Sequence, residues 1–433
     1  MNRLMKKIIL FLIIVSFPIF ALSQETKKED SKFGLNISGF VRNDMVFNTR
    51  QVVSGRGESS FILSPKPIKL DKEGKDTNAV SNYNMVAFIT RLRAKITGPE
   101  AFGAKTSGLV EMDFFGPNAS APYALRLRHA FVKFEWKSSN LLVGQYWHPI
   151  WATECYPGTV SFSTGTPFNP FSRNPQIRFT KQFGGLSILA AAMSQGMFKS
   201  KGNPMAHQNS SIPELHLQLQ YKNKVISAGL GINYQLLQPR LVSSTNYITN
   251  QTVSSLSYFG YAKIKLKPLT TKIYGMYGQN NDNLVMMGGY AVTDKTYSAD
   301  QRTKNLVDYT PYNSLSTWID FETTGKILKF GFFAGYSQNM GAADSVQTTT
   351  YVGRWGNVNT MMRLAPRVIY TVNKIKLGFE LEYSAIDYAE PKLDAIGQPV
   401  IGSDPNGIDA FGKVTNYKTA NNIKFLLSLT YNF

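Results

Sequence analysis

The sequence predicts an all-β fold: a transmembrane, antiparallel, up-and-down β-barrel of sixteen strands. Apolar and polar residues alternate with a period of two over many segments, which is typical of strands with one buried face. Short turns alternate with long polar connections along the chain. After an N-terminal apolar run, no further apolar stretch reaches the about 18 residues that indicate a spanning helix.

Composition narrows the possible functions before any motif is considered. The chain has 433 residues, with 47 Lys and Arg against 28 Asp and Glu, and a formal net charge of +19. Its 13% aromatic content excludes a disordered chain. The single cysteine, Cys155, excludes a disulfide framework, and we expect it to be a thiol without a role. With only four histidines, we expect no metal site and no cofactor.

The N-terminus indicates export. Three basic residues among the first seven precede an apolar run at 8–20, which small residues follow. We therefore expect residues 1–23 to be a secretory signal peptide, 24–32 a short periplasmic segment and 33–433 the barrel. A membrane anchor is the alternative, but the apolar run is shorter than the about 20 residues that a spanning helix needs.

The clearest strand pattern is at the C-terminus. Residues 423–433 carry apolar side chains at every odd position and mostly polar side chains at even positions. The same period is found in 214–221, 225–236 and 326–337. An alternating last strand that ends in Phe433 resembles the recognition signal of bacterial outer-membrane barrel precursors.

Seven short turns and eight long connections give sixteen strands, with both chain ends on the short-turn side. An even strand number with short turns on one side and long loops on the other is typical of a bacterial outer-membrane barrel. A soluble β-sandwich or propeller is the alternative. Its strands would average about five or six residues, whereas many runs here reach the about 9–11 residues that cross a bilayer at a tilt.

If the apolar phase of each strand faces lipid, the other phase lines the lumen, and that phase is rich in cations. A cation facing lipid near the midplane would cost about 2–4 kcal/mol. The predicted lipid-facing phase includes Val86, Phe88 and Val358. The residues predicted to line an anion pathway are Arg42, Arg91, Arg93, Lys95, Arg126, Arg128, Arg173, Arg178, Lys263, Lys265, Arg363 and Arg367.

The inward phase also contains acids, so the predicted lumen is not uniformly positive. With a two-residue turn at 373–374, Arg367 should lie directly opposite Glu380. The balance remains positive, and such a lumen concentrates anions and repels cations. The predicted inward acids are Asp44, Glu111, Asp113, Glu214, Asp320, Glu322, Glu380 and Glu382.

One predicted strand changes phase. The inward phase of Arg128 would send Lys133 and Glu135 into lipid if the alternation were strict. We therefore predict a β-bulge near His129, which would return both charges to the lumen and leave Trp136 in the aromatic girdle.

The third long connection, at 149–174, differs from the others because it is rich in aromatic residues, Pro and Gly. Apart from Glu154 it has no acid. A stiff apolar loop is expected to fold inward and narrow the lumen or to pack between subunits, which would place Arg173 and Arg178 at the constriction. A surface loop without contact to permeating molecules is the alternative.

Four short stretches carry a resemblance to a known family. The run LRLRHAFV at 125–132, followed by LVGQYW at 142–147, resembles the DcaP-like porins, which are related in architecture to the phosphate-selective porins. RNPQIR at 173–178 and RLAPR at 363–367 are similar to later segments of that group. The resemblance implies a sixteen-stranded trimer, an anion-selective channel, an inward third loop, and dicarboxylate or inorganic anions as permeants.

The sequence thus favours an outer-membrane porin for passive diffusion of small hydrophilic anions, without enzymatic activity. The alternatives are a non-conducting structural or receptor barrel and a lipolytic enzyme, which would need a Ser–His pair oriented by an Asn or acid. Expected partners are anionic permeants, outer-membrane lipid of a Gram-negative bacterium and the other copies of a homotrimer. Nucleic acid is not expected, because the cations follow inward faces rather than form one exposed patch.

Overall fold

The structure, a computed structural model, describes residues 33–54, 61–117, 120–121, 123–391 and 406–433. These residues form a closed antiparallel barrel of sixteen crossings, as predicted. The predicted signal peptide at 1–23 and the segment at 24–32 lie outside the described residues. Within the described ranges, no helix is long and apolar enough to cross a membrane.

The crossings run in chain order, and the second one is split into two strands. They are β1 (Gly34–Asn48), β4 (Asn82–Val86) with β5 (Arg91–Thr97), β6 (Lys105–Asp113), β7 (Arg126–Glu135), β8 (Ser139–Trp147), β9 (Arg173–Phe183), β10 (Leu186–Met193), β11 (Glu214–Lys222), β12 (Ile226–Leu237), β13 (Val253–Leu266), β14 (Leu269–Gln279), β16 (Tyr309–Thr323), β17 (Leu328–Ala342), β19 (Val358–Val372), β20 (Ile375–Ala389) and β21 (Tyr417–Asn432).

The remaining elements are short and lie in the long connections. They are the strands β2 (Val52–Ser54), β3 (Ile62–Pro65), β15 (Gly288–Val292) and β18 (Val352–Arg354), the helices α1 (Ala206–Asn209) and α2 (Ala299–Thr303), and 3-10 turns at Pro149–Trp151, Asn281–Leu284 and Thr348–Thr350.

The barrel closes between its first and last crossings. Met45 of β1 lies opposite Leu427 of β21, and Ile37 of β1 lies opposite Ala94 of β5. Every other crossing pairs with its neighbours in the chain. The seven connections at one end have two to seven residues, whereas the eight at the other end have 12 to 33, so the predicted alternation is confirmed.

The outer wall is apolar and the inner wall is polar. On β21, Leu427 is 43% exposed and Leu429 is 47% exposed, whereas Asn422 and Ser428 between the apolar positions are buried. This inverts the arrangement of a soluble protein, in which the apolar phase would be buried. It is the arrangement expected of strands whose apolar face contacts lipid.

Three residues predicted to face lipid are buried instead. Val86 lies opposite the inward Asp44 in the sheet register, and Phe88 is only 3% exposed. A turn at 87–90 interrupts this crossing between β4 and β5, so the phase of the second half does not extend into the first. Val358 is buried because the register with β20 shifts before Met361.

The predicted bulge is present in β7. Glu111 lies opposite His129, but the next residue, Met112, lies opposite Leu127. Arg128 is therefore the extra residue, one position before the predicted site. Because of this insertion, Arg128 and His129 are adjacent in the chain and yet both are buried.

Three long connections meet at Asp282. The backbone N–H of Lys201 donates to the Asp282 carboxylate at 2.6 Å, and Nε of Arg354 donates to the Asp282 carbonyl at 3.0 Å. Asp282 is fully buried, and burial raises the pKa of its carboxyl group to about 6, although Lys201 and Arg354 oppose the rise. The buried Tyr290 and the half-buried Tyr351 also lie near this carboxyl group.

We predict that lowering the pH from 7 to 5 stabilises this contact between the loops. Because the pKa of Asp282 is raised on folding, its contribution is present below the unfolded pKa and is lost as pH rises towards 6. Hydrogen exchange of the amides at 281–286, corrected for intrinsic rates, should therefore slow between pH 7 and pH 5. Asp282→Asn should abolish this pH dependence. An unchanged dependence in that variant would contradict the assignment, and Asp71→Asn, in another loop, is the control.

Candidate functional site

The first group of charges on the inner wall is built around two acids of β6. Nε of Arg128 donates to Glu111 at 2.7 Å and its Nη1 donates to Asp113 at 2.7 Å. Arg126 donates to Asp113 through Nη2 at 2.6 Å, and Arg93 donates to Glu111 at 2.5 Å. Both carboxylates are buried. Two buried acids thus hold and neutralise much of the predicted arginine run.

Arg91 is bound more loosely than its neighbours in this group. Its Nε lies 3.7 Å from Glu111, and its guanidinium lies over the Phe40 ring with 4.9 Å to the centroid. The buried His129 imidazole lies 3.8 Å from the same Glu111 carboxylate. The Glu111 carboxylate therefore lies within 4 Å of three guanidinium groups and of the His129 ring.

The second group lies on β16, β19, β20 and β21. Arg367 donates to Asp320 at 2.8 Å and to Glu322 at 3.2 Å. Arg363 Nε lies 3.2 Å from Glu382, which also binds Lys424 at 2.5 Å. These predicted pathway residues are buried and paired rather than free in the lumen.

Arg367 and Glu380 are opposite each other in the strand register, as predicted, but their side chains do not form an ion pair in the structure. The Arg367 guanidinium turns to Asp320 instead. Glu380 accepts hydrogen bonds from the backbone N–H groups of Val160 at 2.6 Å and Ser161 at 3.0 Å.

On β1, Arg42 donates to Asp44 at 2.7 Å and to the carbonyl of Val160 at 2.6 Å.

We predict that Glu111→Gln strongly destabilises the barrel. Removing one partner of a buried charge pair leaves an uncompensated charge, and costs about 3–5 kcal/mol. The free energy of unfolding, measured by urea titration in lipid vesicles, should fall by that amount. Glu73→Gln is the control, because Glu73 forms an exposed pair with Lys75 and should change nothing measurable. Equal effects of the two substitutions would refute the structural role of Glu111.

The connection between β8 and β9, residues 148–172, contacts inward side chains of distant strands. Trp318 Nε1 donates to the Asn169 side chain at 3.1 Å, and Ser316 donates to the Phe168 carbonyl at 2.9 Å. Arg363 donates to the Thr166 carbonyl at 2.7 Å. These bonds join the connection to the charged inner wall.

Small residues on the wall make room for this connection. A Cβ atom at Gly335 would lie 2.5 Å from the Phe168 ring, and one at Gly378 would lie 2.8 Å from Val160. Any larger side chain would therefore collide with the connection.

Cys155 is completely buried, with Sγ donating to the Ala262 carbonyl, and burial raises the pKa of its thiol to about 12. A thiol that stays protonated is chemically inert.

Arg173 and Arg178 lie at the end of this connection without a carboxylate partner among the described residues. Arg173 is fully buried, with its guanidinium 3.7 Å from the centroid of the Trp147 ring. Its Nε and Nη2 atoms have no hydrogen-bond partner within the described ranges. Arg178 donates to Gln176 at 2.8 Å and to the Trp147 carbonyl at 2.5 Å. This end of the connection is therefore positive.

Lysines dominate the inner wall near the short turns. Lys95 and Lys265 are exposed and Lys263 is half-buried, and the structure gives none of the three an ion pair in the described part of the chain. Lys263 lies opposite Lys272, which is 3.6 Å from Asp320. The inward phase of these strands thus carries water-accessible ammonium groups at this end.

A cavity of about 440 Å³ opens at the same end of the barrel. Its lining includes Lys133, Arg178, Lys222, Tyr146 and Tyr261. Lys133 binds Glu135 at 2.7 Å and Lys222 binds Glu154 at 2.9 Å. The cavity is therefore polar, with more cations than acids in its wall.

Sequence reasoning missed several inward residues. Lys376, at the start of β20, shares the inward phase of Glu380, and the period of two could have identified it. The segment 281–287 is buried, although it was predicted only as part of a long polar connection. Its apolar run Leu284, Val285, Met286 and Met287 was the available signal.

Two histidines, His148 and His216, form polar contacts inside the barrel. His148 Nε2 lies 2.9 Å from Glu214 Oε1, and His216 contacts Asn233 and Gln218. No cluster of His, Cys, Asp or Glu suited to a metal ion occurs among the residues that the structure describes.

Comparison with known proteins gives matches in structure only. No family model matches the chain, and no curated protein matches it in sequence. The outer membrane channel DcaP of Acinetobacter baumannii superposes with a TM-score of 0.64 at 16% identity, covering 95% of this chain and 100% of that one. The chain has the fold of an outer-membrane porin.

Two further structures share this porin fold. An anion-selective porin from Comamonas acidovorans gives a TM-score of 0.53 at 10% identity, covering 93% of this chain and 100% of that one. OmpT, an outer membrane protein of Vibrio cholerae, gives 0.53 at 8% identity, covering 95% and 100%. The resemblance to DcaP-like porins is confirmed in fold. With its apolar outer wall, the barrel indicates the outer membrane of a Gram-negative bacterium.

Proposed function

We propose that this protein is a passive channel for small hydrophilic anions. The observation that carries the proposal is the state of the inward charges. The inward acids already accept bonds from protein donors, as Glu111, Asp113 and Glu380 illustrate. The charges left to face water are therefore mainly cations.

The remaining cations would act at two levels of the lumen. Arg178 lines the polar cavity beside the connection at 148–172, which we propose narrows the lumen, and the fully buried Arg173 adds an unpaired positive charge at the end of that connection. Lys95, Lys263 and Lys265 lie nearer the short turns, where water-exposed ammonium groups would raise the local anion concentration. The paired residues Arg42, Arg126, Arg128, Arg363 and Arg367 would chiefly build the wall, with Arg91 and Arg93 at its edge.

The permeant class follows from this chemistry. Unpaired ammonium and guanidinium groups favour compact anions such as inorganic phosphate and small dicarboxylates. The anion-selective porin from Comamonas acidovorans supports this choice as a neighbour in fold. We also propose a homotrimer, because a trimer form of the Vibrio cholerae neighbour has the same fold, with a TM-score of 0.51.

Ion selectivity in planar bilayers tests the proposal. Under a KCl gradient, the reversal potential should show that Cl⁻ permeates better than K⁺. A K⁺ preference would contradict the anion channel, and a barrel that never conducts would favour a receptor. Phospholipid hydrolysis by the purified protein would favour the lipolytic alternative.

Charge variants test which residues produce the preference for Cl⁻ over K⁺. Replacing Lys95, Lys263, Lys265 and Lys376 by Gln should lower the Cl⁻ to K⁺ permeability ratio by about threefold, because each substitution removes an unpaired cation. The matched control is Arg42→Gln with Asp44→Asn, which removes a whole ion pair and leaves the net charge unchanged. If the two variants shift selectivity equally, the unpaired lysines are not its source.

A further inference from the structure

The two ends of the barrel differ in charge. The seven short turns contain five lysines, Lys137, Lys224, Lys267, Lys326 and Lys374, and one acid, Glu100. We call these five residues the lysine rim. In the long connections both signs occur and pair, as in Arg50 with Asp76, Lys75 with Glu73 and Lys304 with Asp300.

All five side chains of the lysine rim are exposed, and none of them forms an ion pair within the described ranges of the chain. They lie in the turns themselves and not on the inward phase of a strand. Their charge therefore faces outward from the end of the barrel, where it adds nothing to the paired groups of the lumen.

Exposed apolar residues flank the rim on both sides of its turns. Leu266 is 61% and Leu269 37% exposed beside Lys267, and Val372 is 43% and Ile375 46% exposed beside Lys374. These apolar residues end the lipid-facing wall. A turn of two residues extends the chain only slightly beyond the apolar wall. We therefore place the ammonium groups of Lys267 and Lys374 at the level where acyl chains meet headgroups.

The same arrangement recurs at the longer turns. Ile327 is 62% exposed and follows Lys326 directly, and Val225 is 40% exposed beside Lys224. Trp136, which precedes Lys137, donates through Nε1 to the carbonyl of Phe102 at 3.0 Å and stacks near Phe134. An indole anchored in this way is typical of the membrane interface.

We propose that the lysine rim binds anionic phospholipid headgroups in the leaflet that surrounds the short turns. A lysine stem lies along apolar surface while its ammonium group reaches a phosphate, and each lysine adds to the attraction of an anionic surface. A polymer beyond the membrane would fit less well, because the charges are set at the edge of the apolar wall rather than on a projecting loop. The binding is independent of ion conduction.

Trp136 supplies a native probe for this lipid. The protein would be reconstituted in phosphatidylcholine vesicles with a minor fraction of brominated lipid, either phosphatidylglycerol or phosphatidylcholine. Brominated phosphatidylglycerol should quench the fluorescence about threefold more effectively at low ionic strength. The difference should disappear near 1 M salt, where the Debye length is about 3 Å.

Two variants with equal charge changes complete the experiment. Replacing the five rim lysines by Gln should abolish the lipid preference. Replacing Lys66, Lys69, Lys72, Lys75 and Lys413 by Gln, all in long connections, should leave it intact.

Equal quenching by both lipids in the wild-type protein would overturn the inference without any variant. Loss of the preference in the long-connection variant would overturn it too, because net charge would then be the cause. A rim variant that keeps the lipid preference would also overturn the inference. If that variant no longer cosediments with purified cell-wall polymer, the rim binds that polymer instead. Heat-modifiable migration on gels confirms that each variant is folded.

Discussion

The structure depends on one constraint: a backbone that crosses lipid must pair all its polar groups. Pairing of β1 with both β5 and β21 closes the sheet, so no strand edge is left open to acyl chains. Closure then gives every strand one face towards lipid and one towards the lumen. The exposed Leu427 beside the buried Ser428 shows the consequence at the level of adjacent residues.

Because the polar phase of every strand faces the inside of the barrel, the cations of neighbouring strands lie close together. Buried carboxylates bind these cations and neutralise their charge. Glu111, Asp113, Asp320 and Glu382 each bind two or more cations, so arginines that form runs in the sequence form networks in the structure. These pairs are parts of the wall rather than mobile charge. Under the proposed function, a permeating anion would meet the smaller set of unpaired cations, which are chiefly the lysines near the short turns.

The period of two predicted the fold, the number of crossings and the bulge in β7 because each of these follows from local alternation. The period of two gave the wrong face for Val86 and Phe88, because a turn lies inside this crossing and the sequence composition does not change there. Ion-pair partners were beyond prediction for a different reason. Arg367 does lie opposite Glu380, but its long side chain reaches Asp320 on another strand, and Glu380 binds the backbone of residues 160–161. Such contacts join distant parts of the chain, and one sequence does not encode their partners locally.

The accessibility of consecutive residues on β21 tests most directly whether the apolar phase of the strands faces lipid. Single cysteines at positions 423–431, in a Cys155→Ala background, would carry spin labels in lipid vesicles, and collision with dissolved oxygen would report contact with acyl chains. A strand with an apolar, lipid-facing phase should show high oxygen accessibility at the odd positions and low accessibility at the even ones. Uniform accessibility along this strand, or maxima at the even positions, would contradict a barrel with an apolar outer wall and a charged lumen.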